Sequence, residues 1–150
     1  MRLQSAVFTV EDTLLERRDG APCALREGAE EVLSLLKMEG VWMFAVTALP
    51  RREAEQAMRE AGLEGTFRGL LSTAETVSSR GGTVFEKAAR RLLSSPRDTV
   101  VFTGRLASLR EAMDSGFRAV AVRGAADAPE WEAMCAAATD HLDRWADYLA

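Results

Sequence analysis

The chain has 150 residues, 47% of them apolar and 28% charged, with a formal net charge of −4. This length suits one domain with its own core, and the composition is that of an ordinary globular protein. The weak negative charge disfavours nucleic acid as a partner, because phosphate binding needs a concentrated basic surface. No apolar run approaches the roughly 20 residues that cross a bilayer, so we expect no membrane segment. Two cysteines without CxxC spacing predict no disulfide framework and favour a cytoplasmic location.

The first half of the chain alternates short β-rich runs with helical patterns. In chain order, it predicts a strand over 6–10, a helix with apolar residues over 25–36 that ends at Gly40, a strand over 41–46, a helix that begins at Pro50 and ends at Gly62, and an edge strand over 67–71. The strand over 41–46 is apolar on both faces, which is typical of a central strand in a parallel sheet.

The second half continues the alternation. It predicts a helix over 84–93, a strand over 99–102, a helix over 106–113, a strand over 119–122, a helix from Pro129 and a short strand near 141–142. We therefore expect a single domain over 1–150, an α/β fold with a Rossmann-like parallel sheet between two helical layers. Ligands bind beyond the carboxyl ends of such strands, so the loops after Phe8, Val46, Leu71 and Phe102 are the ones to inspect for chemistry.

Four stretches near these loops share a pattern. They read TVEDTL (9–14), VTALP (46–50), SRGGTVF (79–85) and TGR (103–105), the last with Ser108 beyond it. In order, they resemble the Asp-x-Asp-Gly-Thr-Leu loop, the Thr or Ser that ends the second strand, the lysine motif and the Gly-Asp-Ser motif of the haloacid dehalogenase (HAD) superfamily of phosphohydrolases. The resemblance covers nearly the whole chain. It implies a HAD-like three-layer α/β/α sandwich.

The resemblance also implies a reaction, phosphoryl transfer to an aspartate with the help of Mg²⁺ and a lysine. Thr9 and Gly104 fall where the family has carboxylates, and Ser79 falls where it has the lysine. A threonine hydroxyl is a poor nucleophile without a base, and Mg²⁺ prefers carboxylate oxygens. We therefore expect a catalytically degenerate member, a pseudophosphatase, with no catalytic residues, no metal site and no Mg²⁺ cofactor.

Two alternatives keep some chemistry in the cleft. Thr9 or Asp12 could be an atypical nucleophile with Glu11 as acid/base, which would leave an active phosphohydrolase. Thr47, Arg80 and Arg105 could hold an anion, because arginine favours bidentate oxyanion contacts. The competing interpretations are a capped turn at Asp12 and Thr13 and two solvent-facing arginines.

The remaining candidates point to packing and to an open cleft. His141, Cys23 and Cys135 are interpreted as structural or surface residues, and the tail aromatics as core, with a self-association face as the alternative. The segments 15–24 and 65–80 are short, so the resemblance implies a capless domain. An open cleft suits docking of a protein partner, so we expect a binding or structural role.

Overall fold

The computed structural model describes residues 4–16, 23–74 and 83–149. Its main feature is a six-stranded sheet in which every neighbouring pair of strands is parallel. Its strands are β1 (Ser5–Thr9), β4 (Trp42–Thr47), β5 (Leu70–Ser72), β6 (Thr99–Thr103), β7 (Arg118–Val122) and β8 (Asp140–Leu142). Their order across the sheet is β5-β4-β1-β6-β7-β8, so β1 lies in the middle.

Helices connect these parallel strands, as parallel pairing requires. They are α1 (Ala29–Met38), α2 (Arg51–Glu60), α3 (Val84–Arg91), α4 (Leu106–Asp114) and α5 (Ala128–Ala137), and short 3₁₀ segments cover Pro96–Asp98 and Trp145–Leu149. Helix α3 begins with a capping box, in which Thr83 Oγ1 accepts from the Glu86 amide and Glu86 Oε1 accepts from the Thr83 amide.

The sheet is covered on both faces. On one face, α1, α2 and the 3₁₀ segment Trp145–Leu149 pack on Ala6, Phe8, Met43 and Phe102. On the other, α3, α4 and α5 pack on alternate residues of the same strands, such as Val7 and Val101. These two cores confirm the predicted three-layer α/β/α sandwich, because successive strand residues face opposite layers.

The tail aromatics belong to the core, as expected. Trp145 is 2% exposed, and its ring lies tilted against the rings of Phe8 and Phe102. Tyr148 meets the Phe102 ring edge-on. Trp131 is buried against the α4–α5 side of the sheet. Because both tryptophans are buried, little of their surface is exposed for the alternative role in self-association.

Two short strands were missed by the sequence patterns. Residues 15–24 were expected only as a short segment and Leu25 as part of the first helix, but β2 (Leu15–Glu16) pairs antiparallel with β3 (Ala24–Leu25) in a small second sheet, and α1 begins only at Ala29. Two-residue strands carry too little periodicity to be recognised in a sequence. The undescribed stretches 17–22 and 75–82 are far shorter than a domain, so no cap domain interrupts the sandwich. No helix in the described ranges is long and apolar enough to cross a membrane.

Candidate functional site

Four neighbouring strands end in a hydroxyl residue at the carboxyl edge of the sheet. Across β6, β1, β4 and β5, these residues are Thr103, Thr9, Thr47 and Ser72. Each is at most 8% exposed. Since buried polar groups need partners, this hydroxyl row must be satisfied from within the loops above it.

Thr9 is bonded only to other hydroxyls among the described contacts. Its Oγ1 lies 2.6 Å from Thr13 Oγ1 and donates to Thr103 Oγ1 at 2.9 Å. A threonine hydroxyl has one hydrogen, and here that hydrogen is directed to Thr103. No carboxylate or imidazole of this network is placed to take the proton, so the geometry does not activate Thr9 as a nucleophile.

Thr13 connects the first loop to the rest of the edge. Its hydroxyl accepts from the Gly104 amide at 2.9 Å, and its carbonyl accepts from the Trp145 indole at 3.0 Å. Asp12, just before it, has a φ of 63°, a left-handed conformation that aspartate tolerates better than most residues. The turn is therefore held by contacts from β6 and from the C-terminal 3₁₀ segment, together with a local bond at 3.4 Å from Thr13 Oγ1 to the Glu11 carbonyl.

Glu11 turns away from Thr9 and toward the next strand. Its Oε2 accepts from Thr47 Oγ1 at 2.6 Å, and its Oε1 accepts from the Ala48 amide at 2.5 Å. The Thr9–Glu11 pair of the alternative interpretation is therefore not formed, because both Glu11 oxygens are hydrogen-bonded to Thr47 and Ala48. Thr47 Oγ1 also accepts from the Leu49 amide at 3.0 Å, which fixes the direction of its own hydrogen.

Arg105 lies at the rim of the cleft and is paired with carboxylates. Its Nε donates to Asp12 Oδ2 at 2.9 Å and its Nη1 to Glu130 Oε1 at 3.1 Å. The hydrogen bond with Asp12, and then its charge, raise the pKa of the guanidinium above its ordinary value. Glu130 also accepts from the Leu106 amide at 3.0 Å and so caps α4. Arg105 is therefore exposed, as the solvent-facing interpretation has it, but it is paired with carboxylates, and no described bond joins it to Thr47.

Gly104 is packed too tightly to carry a side chain. A Cβ at this position would lie 2.3 Å from the carbonyl oxygen of Asp12, and one at Gly124 would lie equally close to the same oxygen. The carboxylate that the resemblance assigned to Gly104 therefore has no room there. The first residue after β6 that presents a side chain to the cleft is Arg105, which is a cation.

Two residues of the hydroxyl row, Thr9 and Thr47, and the loops above them line a cleft of about 390 Å³. Its floor is polar, with Thr9, Glu11 and Thr47, and part of its wall is apolar, with Val46, Val84 and Phe85. Arg105, Ser108 and Glu111 line the side that α4 contributes. Such a mixture can orient a ligand through its polar groups while it buries an apolar part.

A divalent ion implied by the resemblance does not fit these residues. Thr9 offers a hydroxyl, Gly104 offers no side chain, and Arg105 brings a positive charge to the same rim. Mg²⁺ binds carboxylates and water oxygens in octahedral array. In the described parts of the chain, no three His, Cys, Asp or Glu side chains converge on a common point.

The other predicted candidates lie away from the cleft or outside the residues that the structure describes. Arg80 and Ser79 fall in 75–82, which the structure does not describe. His141 is exposed on β8 and meets the Trp131 ring edge-on, while Cys23 and Cys135 are free thiols. Burial raises the pKa of the Cys135 thiol above its ordinary value.

Sequence reasoning named Thr103 only as part of the TGR motif and not as a site residue, and it missed Glu130. Thr103 could have been found, because 9, 47, 72 and 103 are all hydroxyl residues that directly follow buried runs. Glu130 carried no such signal. It is one of several acidic residues near the start of a helix, and only the packing of α5 beside α4 brings it to Arg105.

The sequence matches no protein-family model and no curated protein. The solved structures do include similar folds. CbbY from Rhodobacter sphaeroides, in complex with xylulose-(1,5)bisphosphate, superposes with a TM-score of 0.81 at 15% identity, over 97% of this chain and 96% of that one. A haloacid dehalogenase-like family protein from Streptococcus pneumoniae gives 0.80 at 10% identity, over 98% and 97%. The chain thus has the fold of the haloacid dehalogenase-like hydrolases, in a form without a cap domain.

Proposed function

We propose that this protein has lost phosphoryl transfer and acts by binding or as a structural component. The observation that carries the proposal is the position of Thr9. It ends the central strand, where the resemblance places the nucleophile, and its hydroxyl bonds only to Thr13 and Thr103 within the described network. Phosphoryl transfer to the protein needs a nucleophile that is ionised or has a base beside it.

The Glu11 contacts support the same proposal. A general acid/base must lie within hydrogen-bond reach of the group whose proton it moves. Glu11 instead accepts two hydrogen bonds from Thr47 and Ala48. Asp12, the other candidate nucleophile, is paired with Arg105 at 2.9 Å.

Mg²⁺ is not part of the proposed function. The rim that would supply the second carboxylate carries Arg105, and Gly104 has no space for a substitute. Arg105 offers no oxygen ligand for a divalent ion, and its charge is already paired with Asp12 and Glu130.

A binding role suits the open cleft and the absence of a cap. The partner we propose is a protein or a second copy of the chain, and neither nucleic acid nor a membrane. Light scattering tests the second copy directly, because self-association raises the measured mass with concentration. The proposed location is the cytoplasm, where free thiols such as Cys23 and Cys135 remain reduced.

The test of lost catalysis is turnover of a generic phosphate ester, p-nitrophenyl phosphate, with and without Mg²⁺. We expect no hydrolysis above the buffer rate. Hydrolysis by the wild type that disappears in Thr9→Ala or Asp12→Asn would overturn the proposal in favour of an active phosphohydrolase with an atypical nucleophile loop. Hydrolysis that persists in both variants and copurifies with the chain would also overturn the proposal, whereas hydrolysis that separates from the chain on further purification identifies a contaminating phosphatase.

A further inference from the structure

Glu11 places a carboxylate against two hydrogen-bond donors of a neighbouring loop. Thr47 Oγ1 and the Ala48 amide each donate to one of its two oxygens, at 2.6 and 2.5 Å. Both donors are neutral, and the described contacts of this carboxylate include no cation. Two donors that converge on the two oxygens of one anion form a small oxyanion-binding site, and we call Thr47 Oγ1 and the Ala48 amide the oxyanion seat. The Glu11 carboxylate of the same chain occupies this seat.

The Glu11 backbone is held firmly enough to keep its side chain there. Thr13 is anchored by the Gly104 amide and by the Trp145 indole, and the carbonyl of Asp12 lies against Gly104 and Gly124. The Leu14 and Leu15 amides both donate to the carbonyl of Val10, on the other side of Glu11. A group delivered from a fixed turn competes with free ligands at a high effective concentration.

We propose that the Glu11 carboxylate occupies this seat in the free protein and so prevents external oxyanions from binding to Thr47 and Ala48. A phosphate group can then reach Thr47 and Ala48 only after the Glu11 carboxylate leaves. The inference rests on the proposed function, because it treats the cleft as a binding site whose access is regulated. The regulating event is any contact that draws Glu11 away, such as a cationic side chain of a docking protein.

Removal of Glu11 also removes a negative charge from the cleft, and this change by itself would raise the affinity for phosphate. A second carboxylate in the cleft provides a control that separates the effect of charge from the effect of emptying the seat. Glu111 lines the same cleft and is exposed, but it makes no described contact with Thr47 or Ala48. Glu111→Ala therefore removes the same negative charge from the cleft and leaves the seat filled. Glu11→Ala removes the charge and empties the seat.

The experiment is a titration with inorganic phosphate, followed through the ¹H–¹⁵N resonance of the Ala48 amide. Hydrogen bonds to charged groups correspond to roughly tenfold or more in affinity each. We expect Glu11→Ala to bind phosphate at least about tenfold more tightly than the wild type, and Glu111→Ala to match the wild type. Glu11→Ala combined with Thr47→Val should lose the gain.

Three results would overturn the inference. Equal phosphate affinity of the wild type and Glu11→Ala would show that Glu11 blocks nothing. Absence of phosphate binding by a folded Glu11→Ala variant would show that the seat does not take an oxyanion. An equal gain in Glu111→Ala would assign the effect to cleft charge.

A measurement on the wild type covers the case in which Glu11→Ala does not fold. It detects the through-hydrogen-bond scalar coupling between the Ala48 amide nitrogen and the Glu11 carboxyl carbon, first without and then with saturating phosphate. We expect the coupling in the free protein and its loss when phosphate is bound. A coupling that is absent from the free protein, or that persists when phosphate is bound to the Ala48 amide, contradicts the inference. None of these readouts involves ester hydrolysis, so they can fail while the proposed loss of catalysis stands, and the reverse.

Discussion

Thr13 is the residue on which the carboxyl edge of the sheet depends most. Its side chain is fully buried and links Thr9 to the Gly104 amide, while its carbonyl holds the Trp145 indole. Two of the groups bonded to its hydroxyl, Thr9 Oγ1 and the Gly104 amide, lie in the interior, where an unpaired donor is costly. The hydroxyl therefore stabilises the fold and the shape of the first loop together.

Replacement of Thr13 by valine keeps the shape of the side chain and removes the hydroxyl. The Gly104 amide then loses its acceptor, and Thr9 loses one of its two partners. We expect the free energy of unfolding, measured by urea denaturation, to fall by about 1–3 kcal/mol. Thr66→Val, at a half-buried threonine outside this network, should change it by less than about 0.5 kcal/mol. Equal effects of the two substitutions would contradict the role given to Thr13.

The glycine after β6 makes a second residue-scale prediction. Alanine at Gly104 would place its Cβ 2.3 Å from the Asp12 carbonyl oxygen and 3.3 Å from that of Val122. Because both are backbone atoms, the loop must shift, and we expect a loss of about 3 kcal/mol. Gly65→Ala meets open space but has a φ of +80°, so it should cost only about 1–2 kcal/mol. The order of these two losses in thermal or urea unfolding tests the packing argument, and the reverse order would contradict it.

Among the elements of the fold, the C-terminal 3₁₀ segment Trp145–Leu149 contacts the first loop of the site, and the sequence did not predict this contact. It packs against α1 and reaches the first loop through the Trp145 indole. The aromatic group of Phe8, Phe102, Trp145 and Tyr148 lies directly below the strand ends that carry the hydroxyl row. The tail of the chain therefore fixes the geometry of its first loop.

Tyr148 reports on the packing of this segment. Burial, and then the charge of Glu39, raise the pKa of its phenol above the ordinary value of about 10. The unfolded chain therefore loses this proton first as pH rises. The contribution of Tyr148 to stability is fully present below about pH 10 and is lost as pH rises through the higher folded pKa.

The sequence contains a single tyrosine, so its ionisation can be followed by tyrosinate absorbance without overlap. We expect a higher midpoint in the native protein than in urea, and a weaker alkaline loss of stability in Tyr148→Phe than in the wild type. Coincident native and denatured midpoints would mean that the 3₁₀ segment does not hold Tyr148 against the core.

For the whole molecule, the periodicity of the sequence was enough to predict the architecture. The apolar runs that include Val7, Phe44 and Val101 became central parallel strands, and the helical stripes became the two outer layers. The resemblance of the strand-end motifs predicted the HAD-like fold, which the solved structures confirm.

The contacts within the cleft could not be predicted from the sequence. Glu11 meets Thr47 across 36 positions of sequence, and Arg105 meets Asp12 across 93. These contacts depend on the neighbour order of β4, β1 and β6 and on the rotamers above them, and neither is encoded in local periodicity. The space that excludes a side chain at Gly104 is likewise a property of two loops and not of one motif.

The most direct test of the central claim is the mass of the protein after incubation with acetyl phosphate and Mg²⁺. The account predicts an unchanged intact mass, because Thr9 lacks a base within its described network and Asp12 is held by Arg105. A protein heavier by one phosphoryl group, with the modification mapped by peptide sequencing to residues 9–12, would contradict it.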